Sequence, residues 1–169
     1  FEVTILQPIN QEISAQQVQE ALRDDTILVS TMYANNETGT LLPISEIGEL
    51  LKQHQAAYHV DAVQAVGKVS ILPEALGIDF LSASAHKFHG PKGIGFLYAA
   101  TMDFDSYLHG GDQEQKKRAG TENLPAIVGM VAALKEALEK QEQHFKEVEE
   151  LKYAFLHEMT GADYYLNQG

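Results

Sequence analysis

Short apolar runs that alternate with amphipathic segments constrain the fold of this chain more than any other feature. The run 26–33, TILVSTMY, is rich in β-branched residues and predicts a strand buried on both faces. Runs at 57–61, 79–85 and 94–100 predict three further short strands. Strands that alternate with helices are typical of layered α/β proteins. We therefore expect an α/β fold with a mostly parallel sheet.

Helical signals lie between and after these runs. Ser14 followed by Gln17 matches a capping box and predicts a short helix. Pro43 suits the first turn of a helix, and residues 44–51 repeat apolar positions at helical spacing. From Pro125 to about residue 157, apolar side chains recur at helical spacing, which predicts one long amphipathic helix. We expect this helix to pack against the protein, because polar residues interrupt its apolar stripe.

Two further segments bear on the topology of the sheet. Residues 1–6, FEVTIL, alternate in polarity and predict another strand. Residues 86–93, which link the third and fourth runs, are too few for a helical crossover. This short link allows the fourth strand to return antiparallel to the third.

The charge of the chain limits its partners. Its 169 residues carry 12 Lys and Arg against 24 Asp and Glu, a formal net charge of −12. Such a protein is repelled by nucleic-acid phosphates and by anionic membranes. No apolar run approaches the length that spans a bilayer. We predict a soluble cytoplasmic protein with neither nucleic acid nor membrane as a partner.

The lack of cysteine narrows the chemistry. No cysteine occurs in the sequence, so these residues supply no disulfide, no cysteine-ligated zinc and no thiol nucleophile. His86 and His89 form an H-x-x-H pair, but no H-E-x-x-H helix supports it as a metal site. We predict no metal.

Polar residues collect where three of the predicted strands end. In open α/β sheets, ligands bind beyond the carboxyl ends of the strands. The candidates at these ends are Asn35, Asn36, Asp61, Gln64, Ser84, His86 and Lys87. Each one alone has an ordinary structural explanation, such as a helix cap for Asp61 or a turn for Ser84. Together they have a chemical logic that these separate explanations lack.

Together these groups match what the cofactor pyridoxal phosphate needs from a protein. A crowded lysine such as Lys87 loses its charge more readily, and a neutral amine forms a Schiff base with an aldehyde. A carboxylate, here Asp61, can keep a pyridine nitrogen protonated, which makes the ring an electron sink. Gln64, one helical turn after Asp61, could donate to the phenolic oxygen. Ser84 and His86, two residues apart on extended chain, could bind the phosphate together.

Glycines follow the candidate lysine. Gly90, Gly93 and Gly95, with Pro91, would let the chain turn sharply and pass close beneath the ring. Their spacing matches neither a Walker loop nor a dinucleotide-binding fingerprint.

Four blocks of sequence carry a family resemblance. They are YANNETGTLLPI, YHVDAVQAVGK, SASAHKFHGPKGIGFLY and RAGTENLPAIVGM. In order and spacing, these blocks resemble the NifS/IscS-type cysteine desulfurases, fold-type I pyridoxal-phosphate enzymes of the class V aminotransferase group. The resemblance implies the three-layer large domain of that group, with a mostly parallel sheet that is incomplete in this chain.

The same resemblance implies a role for each matching residue. Lys87 matches the lysine that holds the cofactor, Asp61 the partner of the pyridinium nitrogen, and Gln64 a contact of the phenolic oxygen. Ser84 and His86 match phosphate ligands. Two more matches lie elsewhere: Asn36 near the cofactor and the substrate carboxylate, and Thr121 at the cofactor phosphate of a neighbouring subunit.

For function, the resemblance implies a homodimer that converts L-cysteine to L-alanine. The sulfur stays as an enzyme persulfide and passes to a sulfur-acceptor or scaffold protein for iron-sulfur clusters or thio-cofactors. Family members are more than twice as long, so residues 1–169 match the central to C-terminal part of the large cofactor domain. The resemblance implies that the N-terminal part and the small domain with the persulfide cysteine lie outside these residues. We expect these residues alone to be inactive.

Two kinds of alternative stay open. A related pyridoxal-phosphate enzyme could use the same core, such as a selenocysteine lyase, a kynureninase-like hydrolase or a transaminase. A non-catalytic scaffold could instead dimerise through the long helix and the loop before it. The joint presence of a lysine, a carboxylate, an amide and a hydroxyl-imidazole pair argues against the scaffold.

Overall fold

A four-stranded sheet forms the centre of the protein. The computed structural model describes residues 1–9, 12–161, 163, 164 and 166. The strands are β1 (Leu28–Met32), β2 (Ala57–Asp61), β3 (Phe80–Ser84) and β4 (Gly95–Ala99), side by side in chain order. The first three strands are parallel, and β4 runs antiparallel to β3. The predicted α/β fold and mostly parallel sheet are confirmed, and the short link does produce an antiparallel return.

The register aligns the ends of the parallel strands. Met32 lies opposite Asp61, and Asp61 lies opposite Ser82, two residues before the end of β3. The backbone continues this alignment, since Tyr33 N–H donates to the Asp61 carbonyl at 2.8 Å. The carboxyl ends of β1, β2 and β3 therefore meet at one edge of the sheet.

In the described part of the chain, four α-helices accompany the sheet. They are α1 (Ala15–Ala21), α2 (Ile44–Leu51), α3 (Leu124–Glu139) and α4 (Gln141–Glu158), with 3₁₀ turns at Ala85–Phe88 and Glu114–Lys116. The predicted capping box is present at α1: Gln17 N–H donates to Ser14 Oγ at 3.2 Å, and Ser14 N–H donates to Gln17 Oε1 at 3.0 Å. Pro43 is the N-cap residue of α2, with non-helical dihedral angles, so it lies one residue before the first turn in which the sequence predicted it.

The hydrophobic core lies on one face of the sheet. Tyr58 and Val60 of β2 are fully buried, together with Ile47 from α2. The Tyr58 hydroxyl forms a hydrogen bond with Thr31 Oγ1 at 3.0 Å. Burial raises the pKa of Tyr58 to about 12, because a phenolate would lose its hydration there. The alternating pattern of β2 and β3 thus places every second residue in this core.

The predicted burial of the first strand on both faces is wrong. Strand β1 covers Leu28–Met32, and its alternate residues are exposed. Leu28 is 52% exposed and Met32 is 39% exposed. These side chains lie on the face of the sheet opposite to the core cluster. An apolar run alone could not distinguish one buried face from two.

The predicted strand at residues 1–6 is also wrong. In the described structure these residues form no strand, and Phe1, Val3 and Ile5 are exposed. Alternation favours a strand only where a neighbouring strand can complete its hydrogen bonds. No described strand pairs with this segment.

The single long helix predicted after Pro125 is two helices. Lys140 has φ −100° and ψ 5°, which ends α3 before α4 begins. Helix α3 contributes to the core through Ala137 and half-buried neighbours. Helix α4 has no buried residue among those described, and Phe145 is 61% exposed. The expected packing therefore holds for α3 and is wrong for α4.

Replacement of Gly48 by alanine should destabilise the protein. A Cβ at Gly48, in the middle of α2, would overlap the carbonyl oxygen of Leu76 and lie 2.9 Å from its carbon. Backbone cannot yield as a flexible side chain can, so we expect Gly48→Ala to lower the free energy of unfolding by at least about 2 kcal/mol. Urea unfolding measures this loss.

The matched control is Ser45→Ala, which adds alanine to an exposed position of the same helix. Its free energy of unfolding should stay within about 0.5 kcal/mol of the unaltered protein. Equal stability of Gly48→Ala and Ser45→Ala would contradict the close approach of α2 to Leu76.

Candidate functional site

Lys87 sits on a short turn that the core anchors on both sides. Strand β3 ends at Ser84, and the 3₁₀ turn Ala85–Phe88 follows directly. Ala85 is fully buried and Phe88 nearly so, whereas Lys87 is half-buried between them. Helix α3 packs against this turn. Lys87 is therefore held by a rigid element and not by a loose loop.

The end of the turn explains one of the predicted glycines. His89 adopts a left-handed conformation with φ 68°, and Gly90 N–H then donates to the Ala85 carbonyl at 2.8 Å. A Cβ on Gly90 would lie 2.9 Å from the Ala85 Cβ. Only glycine fits this close approach. The requirement comes from the backbone of the turn itself, and passage beneath a cofactor ring stays a prediction.

Ser84 and His86 lie together at the start of this turn. The Ser84 hydroxyl and His86 Nδ1 are 2.9 Å apart. The chain is not extended here as the sequence analysis assumed, because His86 already belongs to the 3₁₀ turn. The hydrogen bond nevertheless joins a hydroxyl and an imidazole at the carboxyl end of β3. Such a pair can donate to an anion.

Asp61 ends β2 at the same edge of the sheet. Its side chain is exposed, and Oδ1 accepts a hydrogen bond from Val63 N–H at 3.0 Å. This bond caps the turns that follow β2, which is the ordinary structural role considered for Asp61. It occupies one carboxylate oxygen and leaves the other for a ligand.

Gln64 follows in these turns and has a partner that the sequence analysis missed. Lys68 Nζ donates to the Gln64 carbonyl at 3.0 Å and to Gln64 Oε1 at 3.3 Å. Burial lowers the pKa of Lys68, and the like charge of Lys87 lowers it further. The spacing of four residues between Gln64 and Lys68 was the available signal.

The two asparagines after β1 differ in what they do. Asn35 Oδ1 accepts hydrogen bonds from the N–H groups of Glu37 at 2.8 Å and Thr38 at 2.9 Å, so it shapes its own loop. Asn36 is exposed, and within the described ranges its side chain has no hydrogen bond. Of the pair, Asn36 is thus the better candidate for a ligand contact.

Thr121 is distant in sequence from the other candidate residues. It is exposed in the loop before α3, whose first turn is capped by the Asn123 side chain. In the described part of the chain no hydrogen bond joins Thr121 to the strand-end residues. At this edge of the sheet, Asp61 and Ser84 end β2 and β3, and the segments that follow β1, β2 and β3 carry Asn36, Gln64, His86 and Lys87.

His59, a histidine next to this edge, was not among the residues predicted from the sequence. His59 of β2 bridges three strands: Nδ1 is 2.8 Å from Ser30 Oγ, and Nε2 is 3.2 Å from Ser82 Oγ. Burial lowers the pKa of His59, and the negative charge of Asp61 partly opposes this shift. The signal was the spacing of two, which puts His59 and Asp61 on one face of β2.

Two features are absent from the described residues. No group of three or more acidic or histidine side chains is arranged to hold a metal ion. No helix there combines the length and the apolar character needed to cross a membrane.

Comparison with known proteins defines the class of this chain. Its parallel strands end at one edge, with Lys87 on the turn after β3, and ligands of open α/β sheets bind beyond the carboxyl ends of the strands. Residues 1–168 match the family model described as aminotransferase class-V. The chain belongs to this family.

The relatives that match this chain include a cysteine desulfurase and a NifS-like protein. The chain is 54% identical over 133 residues to the cysteine desulfurase IscS of Methanosarcina thermophila, and this match covers 77% of the chain and 33% of the relative. A solved NifS-like protein superposes with a TM-score of 0.82 at 38% identity, over 86% of this chain and 40% of that one. The structure of SspA in complex with cysteine gives 0.71 at 44% identity, over 73% and 36%. The chain therefore spans about two fifths or less of these relatives.

Acid should weaken the fold through His59. Because its folded-state pKa is lowered, protonation favours the unfolded chain. The stability linked to His59 is therefore complete above its ordinary pKa of about 6.5 and falls as the pH drops below that value. We expect His59→Asn to lose less free energy of unfolding between pH 7.5 and pH 5.5 than the unaltered protein. Urea unfolding at each pH measures the difference.

The control for this pH effect is His109→Asn, in an exposed loop. It should keep the pH dependence of the unaltered protein. If His59→Asn keeps that dependence too, the His59 bridge does not contribute to it.

Proposed function

We propose that the protein binds pyridoxal phosphate through Lys87 and that the intact protein converts L-cysteine to L-alanine. The observation that carries this proposal is the position of Lys87. It lies half-buried on an anchored turn, at the sheet edge where β2 presents Asp61. This is the edge at which open α/β sheets bind ligands.

The residues at this edge fit the parts of the cofactor one by one. Lys87 offers an amine for the aldehyde, and Asp61 offers a carboxylate for the ring nitrogen. The hydrogen-bonded Ser84 and His86 offer donors for the phosphate. Gln64 offers an amide for the phenolic oxygen. Each group matches its partner in charge and in hydrogen-bonding capacity.

Each residue then has a task in the reaction. Bound pyridoxal phosphate supplies an electron sink for negative charge at the substrate α-carbon. Asp61 holds the proton on the ring nitrogen. Lys87 Nζ moves the proton at the substrate α-carbon. Asn36, exposed at the end of β1, orients the substrate carboxylate.

The proposed substrate rests on the relatives. The IscS protein of Methanosarcina thermophila is named a cysteine desulfurase, and SspA has been solved with cysteine. In the balanced reaction, L-cysteine and an enzyme thiol give L-alanine and an enzyme persulfide. Residues 1–169 contain no cysteine, so that thiol is not among them. A sulfur-acceptor or scaffold protein would then take the sulfur for iron-sulfur clusters or thio-cofactors.

We further propose that the intact protein is a homodimer with shared sites. Residues 1–169 form the central to C-terminal part of its large cofactor domain. Thr121 is exposed and unbonded to its own strand-end residues, which suits contact with the cofactor phosphate held by a second subunit. A cytoplasmic location stays a prediction.

The first test is replacement of Lys87 in the intact protein. Pyridoxal phosphate should give a visible absorption band with the unaltered protein, and borohydride should fix the label to the peptide that contains Lys87. Lys87→Ala should show neither, and its rate of alanine formation from L-cysteine should fall at least about a thousandfold, since it loses both covalent binding and proton transfer.

The matched control is Lys92→Ala, an exposed lysine five residues further along. It should keep both the band and the rate. A folded, unaltered protein without the band would favour a non-catalytic scaffold. A band without turnover of L-cysteine would favour a relative with another substrate, such as a selenocysteine lyase or a transaminase.

The second test mixes subunits. Thr121→Ala should weaken cofactor binding about fivefold or more, because one hydrogen bond to the phosphate is lost. When this variant is mixed with Lys87→Ala, each hybrid dimer contains one site with both Lys87 and Thr121. A tight site should therefore reappear in a titration with pyridoxal phosphate.

The outcome separates two arrangements of the site. If Thr121 served its own subunit, no site in the hybrid would carry both residues and no tight site would return. Size-exclusion chromatography of each variant verifies that subunits still associate.

A further inference from the structure

We propose that Lys68 is a positioning residue. It holds the oxygen end of the Gln64 side-chain amide, so that the NH₂ end of this amide is free to donate to the cofactor. This inference rests on the proposed function, because the cofactor is pyridoxal phosphate bound at Lys87. The amine of Lys68 would hold part of the site, while Lys87 would be the covalent anchor.

The turns after β2 bring Lys68 to Gln64. Ala65 N–H donates to the Ala62 carbonyl at 2.9 Å, and Lys68 N–H donates to the Ala65 carbonyl at 2.9 Å. These turns carry the side chain of Lys68 back along the chain. Its Nζ then contacts two oxygens of one residue, the Gln64 carbonyl at 3.0 Å and Oε1 at 3.3 Å.

The chemistry of these contacts sets the direction of the amide. An ammonium group has three donors and no acceptor, so it pairs with the oxygen end of an amide and not with the nitrogen end. With Oε1 held by Lys68, the two N–H donors of Gln64 remain. A phenolic oxygen that carries negative charge needs a donor, and a reversed amide would present it with a second acceptor.

The turn that carries Lys68 is fixed against the turn that carries Lys87. Ala65 and Val66 are buried in the core. Gly67 has φ 79°, and a Cβ there would lie 3.0 Å from the Cβ atoms of both Phe88 and Ala137. Gly67 and Phe88 are the chain neighbours of Lys68 and Lys87, so this contact holds the two lysine-bearing turns against each other.

A double-mutant cycle in the intact protein tests this role. The measurements are the dissociation constant for pyridoxal phosphate and the shape of its visible absorption band, which reports the hydrogen bonding of the phenolic oxygen. Lys68→Met removes the ammonium and keeps most of the side-chain length. We expect it to raise the dissociation constant about fivefold, the change that one ordinary hydrogen bond produces. The absorption band should change with it.

The cycle then repeats Lys68→Met in a Gln64→Ala background. There it should change neither the dissociation constant nor the band, because the group that Lys68 positions is gone. Lys68→Arg, which keeps a charged donor, should recover most of the affinity. Lys52→Met removes a lysine that pairs with Glu49 on α2, and it should behave as the unaltered protein.

The other outcomes would overturn the inference. An equal penalty in both backgrounds would mean that Lys68 acts by its charge and not through Gln64. No penalty in either background would mean that it has no role at the site. Loss of cofactor binding in the unaltered protein would instead refute the proposed function on which the inference depends.

Discussion

The site depends on the packing of one aromatic side chain. Phe88 is buried beside Gly67 and near Ala137 of α3, at the meeting point of three segments that are distant in sequence. A larger residue at Gly67 would collide with Phe88, so the turns after β2 and β3 approach as closely as their backbones allow. The position of Lys87, one residue before Phe88, follows from this contact.

Two turns then share one electrostatic environment. Lys87 and Lys68 repel each other, and the turns that carry them begin at the ends of neighbouring parallel strands. Asp61 adds a negative charge at the same edge and influences His59 within the sheet. The polar groups of the site therefore do not act as separate surface residues. Their relative positions are set by the fold, which places them on adjacent turns that pack against each other.

Much of the fold could be predicted because its signals are local. The capping box at Ser14 and the apolar face of α2 need no distant partner to be recognised. The prediction of a strand at residues 1–6 was wrong because a strand is stable only beside another strand. The prediction of one helix after Pro125 was wrong at Lys140. The apolar residues keep a helical spacing on both sides of Lys140, but its backbone dihedral angles end the helix. The roles of the strand-end residues stay predictions. His59 was missed because its contacts depend on the register of three strands, and Lys68 was missed although its spacing of four residues from Gln64 is a local signal.

The sequence by itself determined which chemical groups are available and where the parallel strands end. Residue type and the alternation of strands with helices are written in the order of the chain, so Lys87 and Asp61 could be named without coordinates. Only the tertiary structure decided how these groups meet. The burial of Phe88 and the single buried face of the sheet depend on close packing between distant segments, which no local pattern encodes.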